Sequence, residues 1–421
     1  LSQSVRHLFD QYSQPENRLT HALASSLSED PRLLRSFLRD IAGLAIPRTE
    51  GIMILEQSLP GEEVLSETES ERRGLPDAWI YTKSGIALLI ESKVSASVSR
   101  DQLDRHLGMA KRRGFKDARL LVLSVKENLK DLPSGAIGNT WCDIYEWLKN
   151  QEKSEWAERL ATYLEIAEAK LSEVEYLKEG TLTRFSGIPF NDEHAYSYLE
   201  AKRLLGLLMG ELKTKPSIIK RLGADPALPS RGAIKKDLHR VWDYIRLQES
   251  KKYDNHTRYP HLTAAICQSE ALALVTLPHG VEKDIRKRVF GAGEKAFTKL
   301  ILDVAVEMRT VLKLDSGVKP YAKVIQRHYP TQSSPPIEDG ILKYDLRTIL
   351  PRKGRTPEKY QPEWLPATYE IMTNKKANIQ FEIGVEIPYR HSKFISTRES
   401  IRLFEACFLA FKPFLDVALG R

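Results

Sequence analysis

Two strand-like runs joined by three turn residues constrain this chain more than any other feature. Asp77-Ala-Trp-Ile-Tyr-Thr82 and Ile86-Ala-Leu-Leu-Ile-Glu-Ser-Lys-Val94 flank Lys83-Ser84-Gly85. The glycine supplies the positive φ that a tight reversal wants. The spacing predicts a hairpin turning about Ser84, which sets Asp77 opposite Glu91. Directly opposed residues hold their Cβ atoms about 5 Å apart and successive side chains alternate faces, so Lys93 shares the Glu91 face while Ser92 points away. Two carboxylates and one amine then converge at the end of the apolar run from Ile86 to Ile90.

Opposed carboxylates at the end of a buried strand repel each other unless positive charge sits between them. A divalent cation resolves the conflict. Mg²⁺ accepts carboxylate, backbone carbonyl and water oxygens and keeps water positions open for phosphate. Lys93 beside it is placed to orient or help deprotonate a water and to stabilise charge on a phosphorane-like transition state.

Pro76-Asp77, followed by Glu91-Ser92-Lys93 at the end of an apolar strand, resembles the PD-(D/E)xK nuclease superfamily of restriction-endonuclease-like folds. The resemblance covers about residues 10–150 and matches the motif in full. It implies an α/β domain, a mixed sheet flanked by helices, that acts as a Mg²⁺- or Mn²⁺-dependent phosphodiesterase. It also implies Asp77 and Glu91 as metal ligands, the Ser92 carbonyl as a further ligand, and Lys93 as the catalytic lysine. Glu16, in Pro15-Glu-Asn-Arg-Leu-Thr20, matches the acidic residue that many members carry on the first helix, where it holds the metal directly or through water. Gln102 resembles the accessory glutamine of some branches, and His106 stands one turn on, where those branches often carry Tyr. Bacterial anti-phage and restriction-type defence systems use such nucleases as effectors. Many members cut duplex DNA as dimers, so a homo-oligomer or a partner protein belongs with this reading.

Around the hairpin, leucines at helical spacing predict two helices between Pro15 and Arg39, interrupted at Pro31. Gly51–Leu59 reads as a strand, Glu62–Arg73 as an exposed loop, Ser99–Arg113 as a helix, Ala118–Val125 as a buried strand, and Thr140–Leu177 as mostly helical. A helix over Asn191–Lys213 follows. Prolines and glycines cluster between 215 and 235 and mark a boundary. The expected organisation is a nuclease domain over 1–150, a helical connector over 151–215 and a basic α+β domain with an antiparallel sheet over 216–421. That last domain should hold two strands over 260–277, one long helix over 282–313, four strands between Ala322 and Pro388, and a closing helix from Arg398 to Leu419.

Charge is unevenly divided. The chain carries a net charge of +8, with residues 1–180 acidic on balance and residues 181–421 strongly basic, which fits a polyanion partner for the C-terminal part. Arg352, Lys353, Arg355 and Lys359, with Tyr360 and Trp364, form a loop whose charges can track phosphate and whose rings can stack on bases. Lys283, Arg286, Lys287 and Arg288 form a second basic cluster, and Arg390, His391, Lys393 and Arg398 a third. None has a spacing that reads bases, so they point to phosphate contact.

Other chemistries find no foothold. No apolar run approaches the roughly 18 to 20 residues of a membrane span, and the first ten residues show no secretory pattern, which makes the cytoplasm the default expectation. Cys142, Cys267 and Cys407 are too dispersed for a zinc ribbon or a disulfide framework and read as small buried hydrophobes. Gly291-Ala-Gly293-Glu-Lys295 lacks phosphate-loop spacing, Gly187 lacks the serine-hydrolase elbow, and no His-Glu-x-x-His motif occurs. The expectation is a cytoplasmic, Mg²⁺- or Mn²⁺-dependent DNA endonuclease. The alternatives are RNA cleavage by the same chemistry, or a catalytically silent nucleic-acid-binding or partner-docking protein on the same scaffold.

Overall fold

The computed structural model describes residue 9 and residues 12–62, 67–95, 97, 99–126, 129, 131–174, 176–177, 180–188, 198–228, 230, 232–235, 239–253, 255–331, 334, 336–351, 358–374 and 378–421. The chain divides into two compact units, Leu1–Arg184 and Phe185–Arg421.

The first unit is mixed α/β. It runs α1 (Pro15–Glu29), α2 (Pro31–Asp40), β1 (Ile52–Glu56), α3 (Glu67–Arg73), β2 (Ala78–Thr82), β3 (Ile86–Lys93), α4 (Arg100–Arg112), β4 (Asp117–Ser124), β5 (Ala136–Thr140), α5 (Trp141–Lys149) and α6 (Glu155–Glu173). The break between α1 and α2 has a local cause: Asp30 caps α2 by accepting from the Arg32 and Leu33 backbone N–H groups at 3.0 Å, and Pro31 occupies a first-turn position where its missing N–H costs nothing. The strands form one sheet in the order β1-β2-β3-β4-β5. The first two pairings are antiparallel and the last two parallel.

The β2–β3 hairpin has the expected register, with Ala78 opposite Ile90 and Ile80 opposite Leu88. Alternation then sorts the side chains. Ala78, Ile80, Leu88 and Ile90 pack into the core with Leu19, Leu23 and Ile144 from α1 and α5. Trp79, Ala87 and Leu89 face Leu103 and Leu107 of α4. Both faces of β3 are therefore covered, which is why its run reads as continuous apolar residues.

The second unit is an α+β fold with α7 (Tyr198–Thr214), α8 (Pro216–Leu222), β6 (Ala233–Lys235), β7 (Arg240–Ile245), β8 (His261–Cys267), β9 (Glu270–Leu277), α9 (Lys283–Phe290), α10 (Glu294–Leu314), β10 (Lys319–His328), β11 (Ile337–Asp345), α11 (Trp364–Asn374), β12 (Ile379–Pro388), α12 (Ser400–Ala410) and α13 (Lys412–Leu419). Its seven strands form an antiparallel sheet in the order β11-β10-β12-β9-β8-β7-β6. One face, with Ile383, Val385, Val275 and Ala264, packs on Phe297, Ile301, Phe404 and Phe408 from the helices.

Several expectations need correction. The described residues of 151–215 divide between the two units rather than forming the expected connector: α6 packs on α1 and α5 of the first unit, and α7 packs on β7 of the second. The segment expected to be an exposed loop contains α3, a short helix without an apolar period. β5, β6 and β7 were not anticipated; β5, Ala-Ile-Gly-Asn-Thr, is too short and too rich in turn-forming residues to read as a strand. The single long helix over 282–313 is two helices broken at Gly291–Gly293, where Gly293 takes φ 93°. The closing helix is likewise two, with Pro413 in the first turn of α13. Only three strands lie between Ala322 and Pro388 among the described residues, with α11 in place of the fourth. Among the described residues, no helix is long and apolar enough to cross a membrane. Cys142 and Cys407 are buried and Cys267 half-buried, all with free thiols.

Candidate active site

The N-terminal end of β2 and the C-terminal end of β3, together with helices on either side, surround a cavity of ≈ 300 Å³ lined by Glu16, Gln57, Asp77, Glu91, Lys93 and Gln102, among others. Asp77 immediately precedes β2, and its Oδ2 accepts from the Ser92 backbone N–H at 2.7 Å across the hairpin. Glu91 is on β3 and only 1% exposed. Lys93 lies on the same face and brings Nζ to 2.6 Å from Glu91 Oε1. Ser92 turns the other way, its Oγ accepting from the Trp141 indole N–H at 3.2 Å. The expected alternation therefore holds, and the three charged groups lie together.

α4 completes the Glu91 environment. Gln102 and His106, one turn apart on the face that also buries Leu103 and Leu107, both reach the carboxylate. Gln102 Nε2 donates to Oε1 at 2.7 Å. His106, fully buried, has Nε2 at 3.1 Å from Oε2, and because an ionised carboxylate only accepts, that nitrogen carries the hydrogen. Sequence reasoning placed His106 near the site but gave it no partner; the structure puts it directly on Glu91.

Glu16 comes from the first turn of α1 and is 8% exposed. Its Oε1 accepts from the Val94 and Ser95 backbone N–H groups at 3.3 and 3.2 Å, and its Oε2 accepts from the Tyr176 hydroxyl at 2.6 Å. Glu16 thus closes the end of β3 and forms part of the cavity wall. Tyr176 had no signal in the sequence, since its contact spans 160 positions. Gln57, just after β1, was also missed.

The electrostatics of the pair are asymmetric. Burial raises the Asp77 carboxyl well above its ordinary range, and the Glu91 charge pushes it further, against the opposing Ser92 N–H. Burial also acts to raise Glu91, but the hydrogen bond from His106 and the charge of Lys93 outweigh it and hold Glu91 below the usual carboxylate range. For Lys93, burial acts to lower the ammonium pKa, and Glu91, Asp77 and Glu16 reverse the sign. Lys93 stays protonated. Burial, then the hydrogen bond to Glu16, raises the Tyr176 phenol.

Among the described residues, no three His, Cys, Asp or Glu side chains stand gathered so as to cage a metal ion. The donor set nevertheless fits Mg²⁺ or Mn²⁺ in kind. Asp77, Glu91 and the Ser92 carbonyl offer hard oxygens, and burial first and the Glu91 charge second press Asp77 to protonate, the second being a repulsion that a divalent cation relieves. Protein donors engage both oxygens of Glu16 and both oxygens of Glu91, so either carboxylate would share its oxygens between those donors and a cation.

The basic residues singled out in the second unit differ in their surroundings. Arg352, Lys353 and Arg355 lie outside the described residues. Lys359 and Tyr360 are exposed, but Trp364 opens α11, donates to Gln361 Oε1 at 3.1 Å and stacks on Tyr344. Its ring belongs to the packing. Lys287 is exposed, whereas Arg288 donates from Nε to the Ala418 carbonyl at 2.9 Å and so ties α9 to the end of α13. Compared with protein-family models and with curated proteins, the chain matches none.

Proposed function

We propose that the first unit is a restriction-endonuclease-like domain that hydrolyses phosphodiester bonds in DNA with the help of Mg²⁺ or Mn²⁺. One observation carries this reading: the buried Glu91 and the half-buried Asp77, with the Lys93 ammonium 2.6 Å from Glu91, line one cavity at the end of the sheet. Asp77, Glu91 and the Ser92 carbonyl would hold the cation. When bound, it would neutralise phosphate charge and make a water more acidic. Gln102 and His106 hold Glu91 in a fixed rotamer, as hydrogen-bonded partners of a ligating carboxylate do. Lys93, kept protonated by its acidic neighbours, acts as a hydrogen-bond donor and positive charge toward the developing negative charge on phosphate, rather than as a general base. Exposed lysines of the second unit, Lys287 and Lys359 among them, would contact phosphate without reading sequence.

Cleavage of plasmid, linear duplex and single-stranded DNA, with an RNA control, tests this in Mg²⁺, Mn²⁺ or EDTA. The expected result is cutting of DNA that needs the cation and is lost in Lys93→Ala. RNA cutting with the same dependence keeps the chemistry and changes the substrate. Salt-sensitive binding without cleavage in any metal, unchanged by Lys93→Ala, supports a silent scaffold instead.

A further inference from the structure

We propose that Gln57 supplies a neutral oxygen donor to the divalent cation that Asp77 and Glu91 hold; this rests on the cation-dependent reading above. The Gln57 backbone N–H donates to the Asp77 carbonyl at 3.0 Å. That bond extends the β1–β2 pairing, in which Glu56 opposes Ala78, by one residue. Gln57 therefore stands across from Asp77 on the side away from Glu91, so that Gln57, Asp77 and Glu91 form a row across three adjacent strands. Gln57 lines the same cavity as both carboxylates.

Two local costs coincide at this residue. Its φ is +46°, a left-handed conformation that is strained for a residue with a Cβ. The residue is 6% exposed, and its Oε1 is buried with no hydrogen-bond partner, although a buried acceptor left unpaired is destabilising. A backbone strained so as to hold an unsatisfied oxygen at a polar cavity is accounted for when something in the cavity binds that oxygen. Mg²⁺ and Mn²⁺ accept carboxamide oxygens. A neutral donor also adds a ligand without adding negative charge beside Asp77 and Glu91. Glu16, the other acidic side chain of the cavity, accepts from Val94, Ser95 and Tyr176 and so braces the wall, whereas the Gln57 oxygen has no such partner.

Mn²⁺ binding to the full chain, followed by the loss of the free-ion electron paramagnetic resonance signal without nucleic acid, tests the assignment. Gln57→Gly removes the amide and accepts positive φ without strain, so its thermal stability in EDTA should be unchanged or higher. Its Asp77-dependent Mn²⁺ site should weaken roughly tenfold, the lower end of what lost support at a metal site costs. Gln57→Glu, which keeps an oxygen, should bind as tightly as wild type or more tightly. Gln57→Asn, which tolerates the left-handed backbone but falls one methylene short, should weaken binding like the glycine variant and decides the matter if that variant is unstable. Undiminished affinity in Gln57→Gly or Gln57→Asn, with Asp77→Asn abolishing the site, overturns the role of Gln57 alone. Wild-type protein with no Mn²⁺ site that Asp77→Asn removes overturns this inference and the cation-dependent reading together.

Discussion

The two units bury carboxylates in opposite ways. In the second unit, Asp315 is 2% exposed and surrounded by donors: its Oδ2 accepts from the Ser392 hydroxyl at 2.6 Å and the Lys393 N–H at 3.1 Å, and its Oδ1 accepts from the Gly317 N–H at 3.0 Å. That carboxylate joins the end of α10 to the segment after β12 and leaves nothing for a ligand to correct. In the first unit, Asp77 has another carboxylate for a neighbour, and burial and repulsion both raise its pKa. Location within the first unit is not the cause, because Glu168 there follows the Asp315 pattern, accepting from Leu182 and Thr183. The difference lies between carboxylates that hold the fold together and carboxylates left in conflict beside a cavity, and only the second kind is improved by a bound cation.

The largest effect that sharpens this contrast is on catalysis. Lys93→Ala should lower cation-dependent cleavage by roughly 10²–10³-fold, the usual cost of removing a group aimed at transition-state charge, while Asp315→Ala, assayed under conditions where it remains folded, should cut at close to the wild-type rate. Equal losses in the two variants would erase the distinction between the sites.

Next comes the pH response of the second unit. His261 is buried with its Nδ1 at 3.2 Å from the Tyr259 carbonyl, and burial lowers its pKa to about 4. A histidine whose folded pKa is depressed binds fewer protons folded than unfolded, so the stability it permits is complete above an unfolded value near 6.5 and is lost as pH falls toward 4. Urea unfolding should show a loss of roughly 3 kcal/mol across that window attributable to this residue, and His261→Gln should flatten the slope. A slope unchanged by the substitution would remove His261 as its cause.

A smaller effect is expected from the structural carboxylate itself. Asp315→Ala strips acceptors from three donors and should cost about 2 kcal/mol in chemical denaturation, with or without divalent cation. A cation-dependent cost would move Asp315 into the class of Asp77.

The same contrast explains what could be read in the sequence. Lys83-Ser84-Gly85 fixes the turn, the turn fixes the register, and alternation then places Asp77, Glu91 and Lys93 on one face, so the charged cluster follows from local rules. Gln102 was legible only through its resemblance to the accessory glutamine of some branches of the PD-(D/E)xK superfamily, on a helix that Leu103 and Leu107 announce. Gln57 was not, because nineteen residues lie between it and Asp77 and no tight turn sets that pairing. Tyr176 is further away still. At the fold level, Pro31 announced a helix boundary, but β7 went unread in a stretch dominated by Pro226, Pro229 and Gly232. The domain boundary was misplaced for a related reason: a cluster of turn-forming residues marks a loop, and only packing shows that α7 belongs to the sheet that follows it.

Thermal unfolding with and without Mn²⁺, in wild type and Asp77→Asn, tests the central claim most directly. Asn keeps an acceptor for the Ser92 N–H and removes the repulsion, so Asp77→Asn should be at least as stable as wild type in EDTA. Mn²⁺ should then raise the wild-type melting temperature, by an amount equivalent to about 2.7 kcal/mol at a hundredfold excess over Kd, and leave the variant unmoved. An equal rise in both proteins, or none in wild type, would contradict the account of these carboxylates as a cation site.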